Sequence, residues 1–164
     1  MRGTPIFAAA LLGLAAAPLA AQNQPPEEAE AILAAQAFMQ AIGSEDKAAL
    51  ADHLIPEATI FVHDRMDPAT PKVTIIPAAD HLARWAKSTR RVSEEMAMEL
   101  VLVEGDMAQI WGPYAFRVEG EISHCGINSL SLVKRDGKWM VGNTSFTMEP
   151  PGKCAEIGAP GLGA

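Results

Sequence analysis

The second half of the chain alternates with a two-residue period, and this pattern restricts the fold more than any other feature of the sequence. The alternation is regular over residues 96–103, as expected for a strand with Met96, Met98, Leu100 and Leu102 on one face. Turn signals divide the remainder into segments of strand length, since such turns join antiparallel neighbours. These signals are Glu104-Gly105-Asp106, Glu119-Gly120 and Asp136-Gly137. The pattern therefore predicts four hairpin-connected strands in an antiparallel meander.

The first half of the chain predicts mainly helices. Pro25-Pro26-Glu27-Glu28 is typical of a helix start, because proline fits the first turn and acidic residues face the positive end of the helix dipole. Gly43 supplies the C-cap. A short helix is expected next, capped by Ser44, carrying Leu50 and Leu54, and ended by Pro56. It is followed by a strand from Thr59 to His63, a brief strand from Val73 to Ile76, and a helix from Pro77 through Trp85. Helices first and strands last predict one α+β domain.

Residues 1–21 have the pattern of a cleaved signal peptide. Arg2 gives a positive start, an apolar run begins at Pro5, and small residues precede Gln22. The apolar run is shorter than the roughly 20 residues that a membrane-spanning helix needs. We therefore expect no stable membrane anchor, and a bacterial protein that is periplasmic or secreted. The mature part divides into a domain over residues 22–150 and a tail over residues 151–164, whose Gly- and Ala-rich end from Gly158 is expected to fray.

The charge balance excludes one class of partner. The formal net charge is −7, and it becomes −8 when Arg2 leaves with the signal peptide. An acidic protein of this kind does not associate readily with phosphate backbones, so nucleic acid is not an expected partner. The basic cluster from Lys87 to Arg91 lies at a predicted helix end, where cations complement the helix dipole.

Cys125 and Cys154 are the two cysteines of the chain. In an oxidising compartment a single disulfide between them is the natural pairing. It would close a loop of about 30 residues and stabilise the fold by about 3 kcal/mol in the chain-entropy model. The alternative is a pair of free thiols, one of them catalytic, for which only His124 is a neighbouring activating group.

Several segments carry a family resemblance. They are Trp111-Gly112-Pro113-Tyr114-Ala115-Phe116, Ser123-His124-Cys125-Gly126-Ile127-Asn128 and Asp136-Gly137-Lys138-Trp139-Met140-Val141, which follow an Ala- and Phe-rich first helix. Over about residues 27–150 the chain resembles the SnoaL-like group of the nuclear transport factor 2-like superfamily. The resemblance implies a cone-shaped domain, in which a strongly curved antiparallel sheet wraps around helices and leaves a pocket at the open end. Similar domains include isomerases, dehydratases, ligand carriers and oligomerisation modules, so the fold does not choose among these functions.

The strand faces predict a group of site residues. If Asp136-Gly137 is a two-residue turn, the pairing register places His124, Asn128 and Asn143 on one face with apolar side chains. A two-residue turn at Glu119-Gly120 adds Trp111 to that face, and a bulge would reverse its placement. A few polar groups in an apolar concavity are typical of a small-molecule site. The candidate ligand-binding residues are therefore His124, Asn128, Trp111, Asn143 and, at the end of the first strand, His63. The alternative is that the His and Asn side chains only satisfy buried backbone groups.

Three classes of function remain open. The preferred one is an exported, cofactor-free module that binds a small apolar or aromatic molecule, with His124 and Asn128 at its polar end. The second is an isomerase, dehydratase or hydrolase that uses His124 or His63 as a general base. The third is a homodimeric structural or interaction module that buries the convex sheet face. The histidines lack metal-ligand spacing and no nucleotide-binding motif occurs, so we expect no metal and no cofactor.

Overall fold

The helices lie close to their predicted positions. The computed structural model describes residues 25–162, so the predicted signal peptide lies outside the described part of the chain. Helix α1 spans Pro26–Gly43, a 3₁₀ helix spans Lys47–His53, and α2 spans Ala78–Trp85. Within residues 25–162, no helix is long and apolar enough to cross a membrane.

The second helix differs from its prediction at both ends. Ser44 ends α1, where its N–H donates to Ala41 O at 3.2 Å. Asp46 caps the 3₁₀ helix instead, and its carboxylate accepts from Ala48 N at 3.0 Å. Leu54, which was predicted to be helical, begins the first strand. The helix stops early because the residue before a proline favours extended backbone, and Pro56 follows closely.

Within residues 25–162, seven strands form one mixed, mostly antiparallel sheet. The strands are β1 (Leu54–Asp64), β2 (Lys72–Pro77), β3 (Val92–Met96), β4 (Leu100–Glu104), β5 (Met107–Val118), β6 (Glu121–Arg135) and β7 (Lys138–Met148). Their order is β2-β1-β7-β6-β5-β3, with β4 also paired to β5. The predicted meander is confirmed from β4 to β7, whose neighbouring strands pair antiparallel. The β1–β2 hairpin joins the sheet through a parallel pairing between β1 and β7.

The stretch predicted as one strand over residues 96–103 is two strands with opposite phases. Met96 pairs with Tyr114 of β5, and Leu100 pairs with Trp111. The segment advances by four residues while β5 advances by three, so it contains one extra residue. Such a bulge reverses the side of the sheet on which the following side chains lie. Leu100 and Leu102 are consequently 48% and 57% exposed, whereas Val101 and Val103 pack against the core.

The inner face of the sheet packs against α1, the 3₁₀ helix and α2. Ala31, Ala35 and Phe38 of α1 are buried in the same cluster as Leu130 of β6 and Val141 of β7. Full burial of a Leu, Val or Phe side chain contributes about 1.5–3 kcal/mol each, so this layer accounts for much of the stabilisation. The small alanines allow α1 to lie close to the sheet.

Two glycines permit close contacts between neighbouring segments of the sheet. A Cβ atom on Gly112 would overlap the carbonyl oxygen of Ala97, at the point where the chain passes from β3 to β4. A Cβ atom on Gly126 would overlap the carbonyl oxygen of Thr147. That oxygen accepts a hydrogen bond from the Tyr114 hydroxyl at 2.8 Å. With a Cβ atom at either position, the neighbouring backbone would have to move, so glycine is favoured there.

The C-terminal segment is held against the outer face of the sheet. Cys125 and Cys154 form the predicted disulfide, with their Cα atoms 5.6 Å apart. A 3₁₀ turn spans Pro151–Lys153 and α3 spans Cys154–Ile157. Ala159 is buried, and Gly161 O accepts from an Arg117 guanidinium N–H at 2.7 Å. The expectation that the chain frays from Gly158 is therefore wrong for residues 158–162.

Candidate ligand-binding site

A cavity of about 200 Å³ lies between the helices and the inner face of the sheet. Its walls are mainly aliphatic and aromatic, with Phe38 and Ile42 from α1, Trp85 from α2, Phe116 from β5 and Phe146 from β7. The cavity is larger than the roughly 150 Å³ that accommodates benzene and smaller than the pockets of drug-sized ligands. Its size therefore suits one ring with a short substituent.

Two of the five predicted site residues, His124 and Asn128, line this cavity from β6. The His124 imidazole stacks on the Phe116 ring, with 4.8 Å between centroids, and meets the Tyr114 ring edge-on at 5.8 Å. Burial lowers the pKa of His124 to about 4, against an opposing effect of the Asp64 carboxylate. His124 is therefore neutral near pH 7 and has one donor and one acceptor nitrogen.

Trp111 and Asn143 do not line the cavity, because a β-bulge lies between each of them and the turn from which its register was predicted. Both predicted turns have two residues, since Val118 pairs with Glu121 and Arg135 with Lys138. An extra residue at position 123 then shifts β6 against β5, and another at position 142 shifts β7 against β6. Each bulge moves the following side chains to the opposite face. Trp111 is consequently 46% exposed on the outer face.

His63 also lies outside the cavity. Strand β1 alternates, and Ile60 lines the cavity, so His63 three residues later points to the outer face. Its Nε2 atom lies 3.1 Å from Ser145 Oγ on the neighbouring strand β7. The prediction that His63 contributes to the pocket is wrong for this reason.

Glu94 is a cavity residue that the sequence analysis missed. It lies on β3 and directly opposes Phe116 of β5, and both side chains line the cavity. Its Oε1 atom accepts from Asn128 Nδ2 at 3.1 Å, and Asn128 Oδ1 accepts from the Thr144 hydroxyl at 2.9 Å. Burial raises the pKa of Glu94 to about 7, although the Asn128 hydrogen bond acts in the opposite direction. The available signal was the alternation of Val92, Glu94 and Met96, which places a carboxylate on an inward-facing register.

The Tyr114 hydroxyl is not free to act on a ligand. It donates to Thr147 O at 2.8 Å, and the side chain is 1% exposed. Burial raises the pKa of Tyr114, with further contributions from the carboxylates of Glu94 and Glu149. Tyr114 therefore supplies an aromatic wall and a fixed polar contact, not an ionisable group.

Within residues 25–162, no cluster of three or more His, Cys, Asp or Glu side chains is arranged to hold a metal ion. The cavity wall contains one carboxylate and two imidazoles, from Glu94, His81 and His124. Among the described side chains that line it, none is a lysine or an arginine. The chemistry of the site is therefore that of one acid, two imidazoles and a polar amide in apolar surroundings.

Helices packed against the inner face of a curved sheet, with a cavity between them, define a cone-shaped α+β protein. The sequence matches no protein-family model, and no curated protein is significantly similar to it. Solved structures share the architecture. A protein of unknown function from Shewanella baltica, described as NTF2-like, is 16% identical, with a TM-score of 0.57 over 76% of this chain and 94% of that chain. The fold is therefore nuclear transport factor 2-like, as the sequence resemblance implied, whereas the SnoaL-like subgroup stays a prediction.

Two further structures with this fold have assigned roles of different kinds. One is the assigned beta subunit of an aromatic-ring-hydroxylating dioxygenase from Novosphingobium aromaticivorans, 13% identical, with a TM-score of 0.60 over 75% of this chain and 89% of that chain. The other, from Xanthomonas campestris, is assigned as a calcium/calmodulin-dependent protein kinase II association domain. It is 19% identical, with a TM-score of 0.56 over 73% of this chain and 86% of that chain. At these identities the likeness shows the fold alone, which is compatible with a ligand-binding module.

Proposed function

We propose that this protein is an exported module that binds a small, largely apolar molecule inside the cone. The observation that carries the proposal is an apolar cavity of about 200 Å³ with one hydrogen-bonded polar group of three residues, Glu94, Asn128 and Thr144, on its wall. An apolar cavity with a few convergent polar groups is the usual form of a small-molecule site. The polar end predicted from sequence consists of His124 and Asn128, and Glu94 is an additional polar residue on the same cavity wall.

A pair of variants on α1 tests this proposal. Ile42→Phe adds volume inside the cavity, whereas Leu33→Phe adds the same ring on the solvent side of the helix, where Leu33 is 64% exposed. Binding of 2-phenylethanol, measured by calorimetry, is expected in the wild type and in Leu33→Phe and lost in Ile42→Phe. Native mass spectrometry and organic extraction then identify any molecule that copurifies. Equal binding to both variants would refute the proposal.

Export is supported by the disulfide between two buried cysteines and by the signal-peptide pattern of residues 1–21. Expression of the full chain in a bacterium should yield a periplasmic or secreted protein. Its mass should correspond to a first residue of Gln22 and to an oxidised cysteine pair. Full-length protein recovered from the cytosolic fraction would contradict this part of the proposal.

The enzyme alternative has its best support at Glu94. A general base works best when its pKa lies near the operating pH, and burial raises the pKa of Glu94 to about 7 while it lowers that of His124 to about 4. His63 lies outside the cavity. If the molecule that copurifies exchanges a carbon-bound hydrogen in D₂O, and Glu94→Gln abolishes this exchange, the protein is an enzyme for proton transfer. Absence of exchange in the wild type would exclude this proton transfer.

A homodimer is the second candidate supported by a specific observation. Leu100, Leu102, Met107 and Trp111 are 48%, 57%, 60% and 46% exposed on the outer side of β4 and β5. Contiguous exposed apolar side chains mark interaction surfaces. Light scattering should give a dimer for the wild type and a monomer for Leu102→Lys. Val73→Lys, on the exposed strand β2, is the matched control and should remain a dimer.

A further inference from the structure

The carboxylate of Glu94 differs from the other carboxylates around it in having no cation beside it. Glu95, the next residue, pairs with Arg117 at 3.8 Å, and Asp64 pairs with Lys72 at 3.3 Å. Among residues 25–162, no lysine, arginine or histidine forms an ion pair with Glu94. A buried charge without a partner is costly, and a cation that reaches it recovers much of that cost. The cavity therefore presents an acid that lacks a counter-ion.

Three hydrogen-bond donors on the cavity wall are already engaged by protein acceptors. The Asn128 amide donates to Glu94, the Thr144 hydroxyl donates to Asn128, and the Tyr114 hydroxyl donates to Thr147 O. The Glu94 carboxylate keeps an oxygen, Oε2, for which the structure shows no hydrogen bond within the described residues. A ligand at this point is therefore best matched when it brings hydrogen-bond donors.

The cavity that Glu94 lines has several aromatic walls. Phe116 lies directly opposite Glu94 in the sheet, and the rings of Tyr114 and Phe146 meet edge to face with centroids 6.0 Å apart. Aromatic faces attract cations, and more strongly where water is excluded. One lysine, Lys47, already lies over the Trp85 ring at 5.5 Å, but it does not line the cavity. The cavity wall thus contains a carboxylate and aromatic rings, but no lysine or arginine among its described residues.

We infer that the cavity binds a small monoamine, whose ammonium group pairs with the Glu94 carboxylate while its apolar part fills the aromatic cavity. The inference rests on the proposed ligand-binding function and names its ligand class. The cavity volume of about 200 Å³ limits the apolar part to roughly one ring or a short alkyl chain. A carboxylate ligand of the same size is repelled by Glu94, and a neutral one leaves the acid without a counter-ion.

Proton release gives this inference a distinctive signature. Burial raises the pKa of Glu94 to about 7, so near pH 6 the side chain is mostly protonated, and an ammonium group must displace that proton to form an ion pair. An aliphatic ammonium stays charged throughout this range. For one group with this pKa, amine affinity is therefore expected to rise roughly tenfold between pH 6 and pH 8.

The other ionisable groups on the cavity wall are His81, Tyr114 and His124. His124, on β6, has a pKa of about 4, so it stays neutral throughout this range. Burial also lowers the pKa of His81, on α2, below its ordinary value. Any residual protonation of His81 would act in the same direction and would also release a proton, but this contribution persists in Glu94→Gln, whereas that of Glu94 is lost. Burial raises the pKa of Tyr114, on β5, so its hydroxyl does not ionise here.

Three probes of one shape separate the ligand classes. Phenethylamine is cationic, 2-phenylethanol is neutral and phenylacetate is anionic, and each is titrated into the mature protein by calorimetry in buffers with different ionisation enthalpies. We expect phenethylamine to bind at least tenfold more tightly than 2-phenylethanol near pH 8, where Glu94 is ionised. Near pH 6 its binding should release close to one proton. Phenylacetate should not bind.

Variants assign the effect to one carboxylate. Glu94→Gln preserves shape and should reduce phenethylamine affinity at least tenfold, without weakening 2-phenylethanol. Glu95→Gln removes a neighbouring carboxylate that pairs with Arg117, and it should change neither affinity. Circular dichroism and a melting curve verify that each variant is folded. Equal affinity for the two probes, or binding without proton release in the wild type, would overturn the amine inference and leave the binding function intact. Binding of no probe would overturn both.

Discussion

At the Glu94 side chain, burial and hydrogen bonding act on ionisation in opposite directions. Burial raises the pKa from its ordinary value of 4.5 to about 7, and the hydrogen bond from Asn128 limits the rise. The folded chain consequently binds more protons than the unfolded chain between these two values. By linkage, the stabilising effect of this protonated form is complete below pH 4.5 and is lost as the pH rises through about 7.

Glu94→Gln should therefore stabilise the protein at alkaline pH. A pKa difference from 4.5 to about 7 corresponds to at most about 3 kcal/mol in the free energy of unfolding at pH 8. Near pH 4 the variant and the wild type should be equally stable, because the carboxyl is protonated in both states. Urea unfolding at several pH values measures the difference. Glu95→Gln serves as the control, and a Glu94→Gln curve parallel to the wild type at all pH values would contradict the assignment.

Asn128→Leu tests whether the hydrogen-bonded group of Glu94, Asn128 and Thr144 sets the pKa of Glu94. The side chain is 3% exposed and joins Thr144 to Glu94, so its removal eliminates the hydrogen bond that favours the Glu94 carboxylate. The pKa of Glu94 should consequently rise above its wild-type value. Carbon-detected NMR titration of the labelled carboxyl measures this shift. Thr144→Val keeps Asn128 in place and should give a smaller rise. An unchanged pKa in Asn128→Leu would show that the hydrogen bond has no role in ionisation.

At the scale of the strands, the sequence predicted which segments are extended, but the predicted direction of their side chains is wrong beyond each bulge. The Asp136-Gly137 turn correctly fixed the start of the register between β6 and β7. The extra residues at positions 123 and 142 break the alternation within β6 and β7, whereas the prediction continued one alternation through both strands. The predicted face of His124 and Asn128 agrees with the structure, because both alternate in phase with the buried Leu130 and Leu132 of the same strand.

The same limit explains why the site was only half predicted. Trp111 and Asn143 were displaced by tertiary geometry that a single sequence does not contain. Glu94 was overlooked because the predicted strand began two residues later, at Met96, although β3 starts at Val92. Extending the alternation backwards would have identified a carboxylate on the inner face.

Gly126→Ala should destabilise the sheet, because the new Cβ atom would overlap Thr147 O. Relief of this overlap requires the strands to separate and weakens the hydrogen bond from Tyr114. We expect a loss of about 1–3 kcal/mol in the free energy of unfolding. Gly142→Ala is the matched control in the same sheet, since its Cβ atom would meet Ser131 O and Val133 at 3.5 Å, an ordinary contact. Equal stabilities for the two variants would show that the close approach at Gly126 is relieved without cost.

At the scale of the whole molecule, the disulfide joins α3 to the outer face of β6 across 29 residues. The double variant Cys125→Ala with Cys154→Ala should lose about 3 kcal/mol, because its unfolded chain is no longer cross-linked. Urea unfolding measures the loss, and reduction of the wild type should lower its stability in the same direction. Binding of 2-phenylethanol should persist, since neither cysteine lines the cavity. Unchanged stability in the double variant would show that the packing of α3 alone holds the tail.

The parallel pairing of β1 with β7 delays completion of the sheet until the end of the domain is available. The two strands are neighbours inside the sheet, although the ribosome makes β1 near the beginning of the domain and β7 near its end. Until β7 emerges, the β1–β2 hairpin has an open edge, and such edges pair readily with other chains. Long-range pairing of this kind also slows folding. An unfinished chain is thus more prone to aggregate than a finished one, and the nascent hairpin is the segment for which a chaperone would matter most.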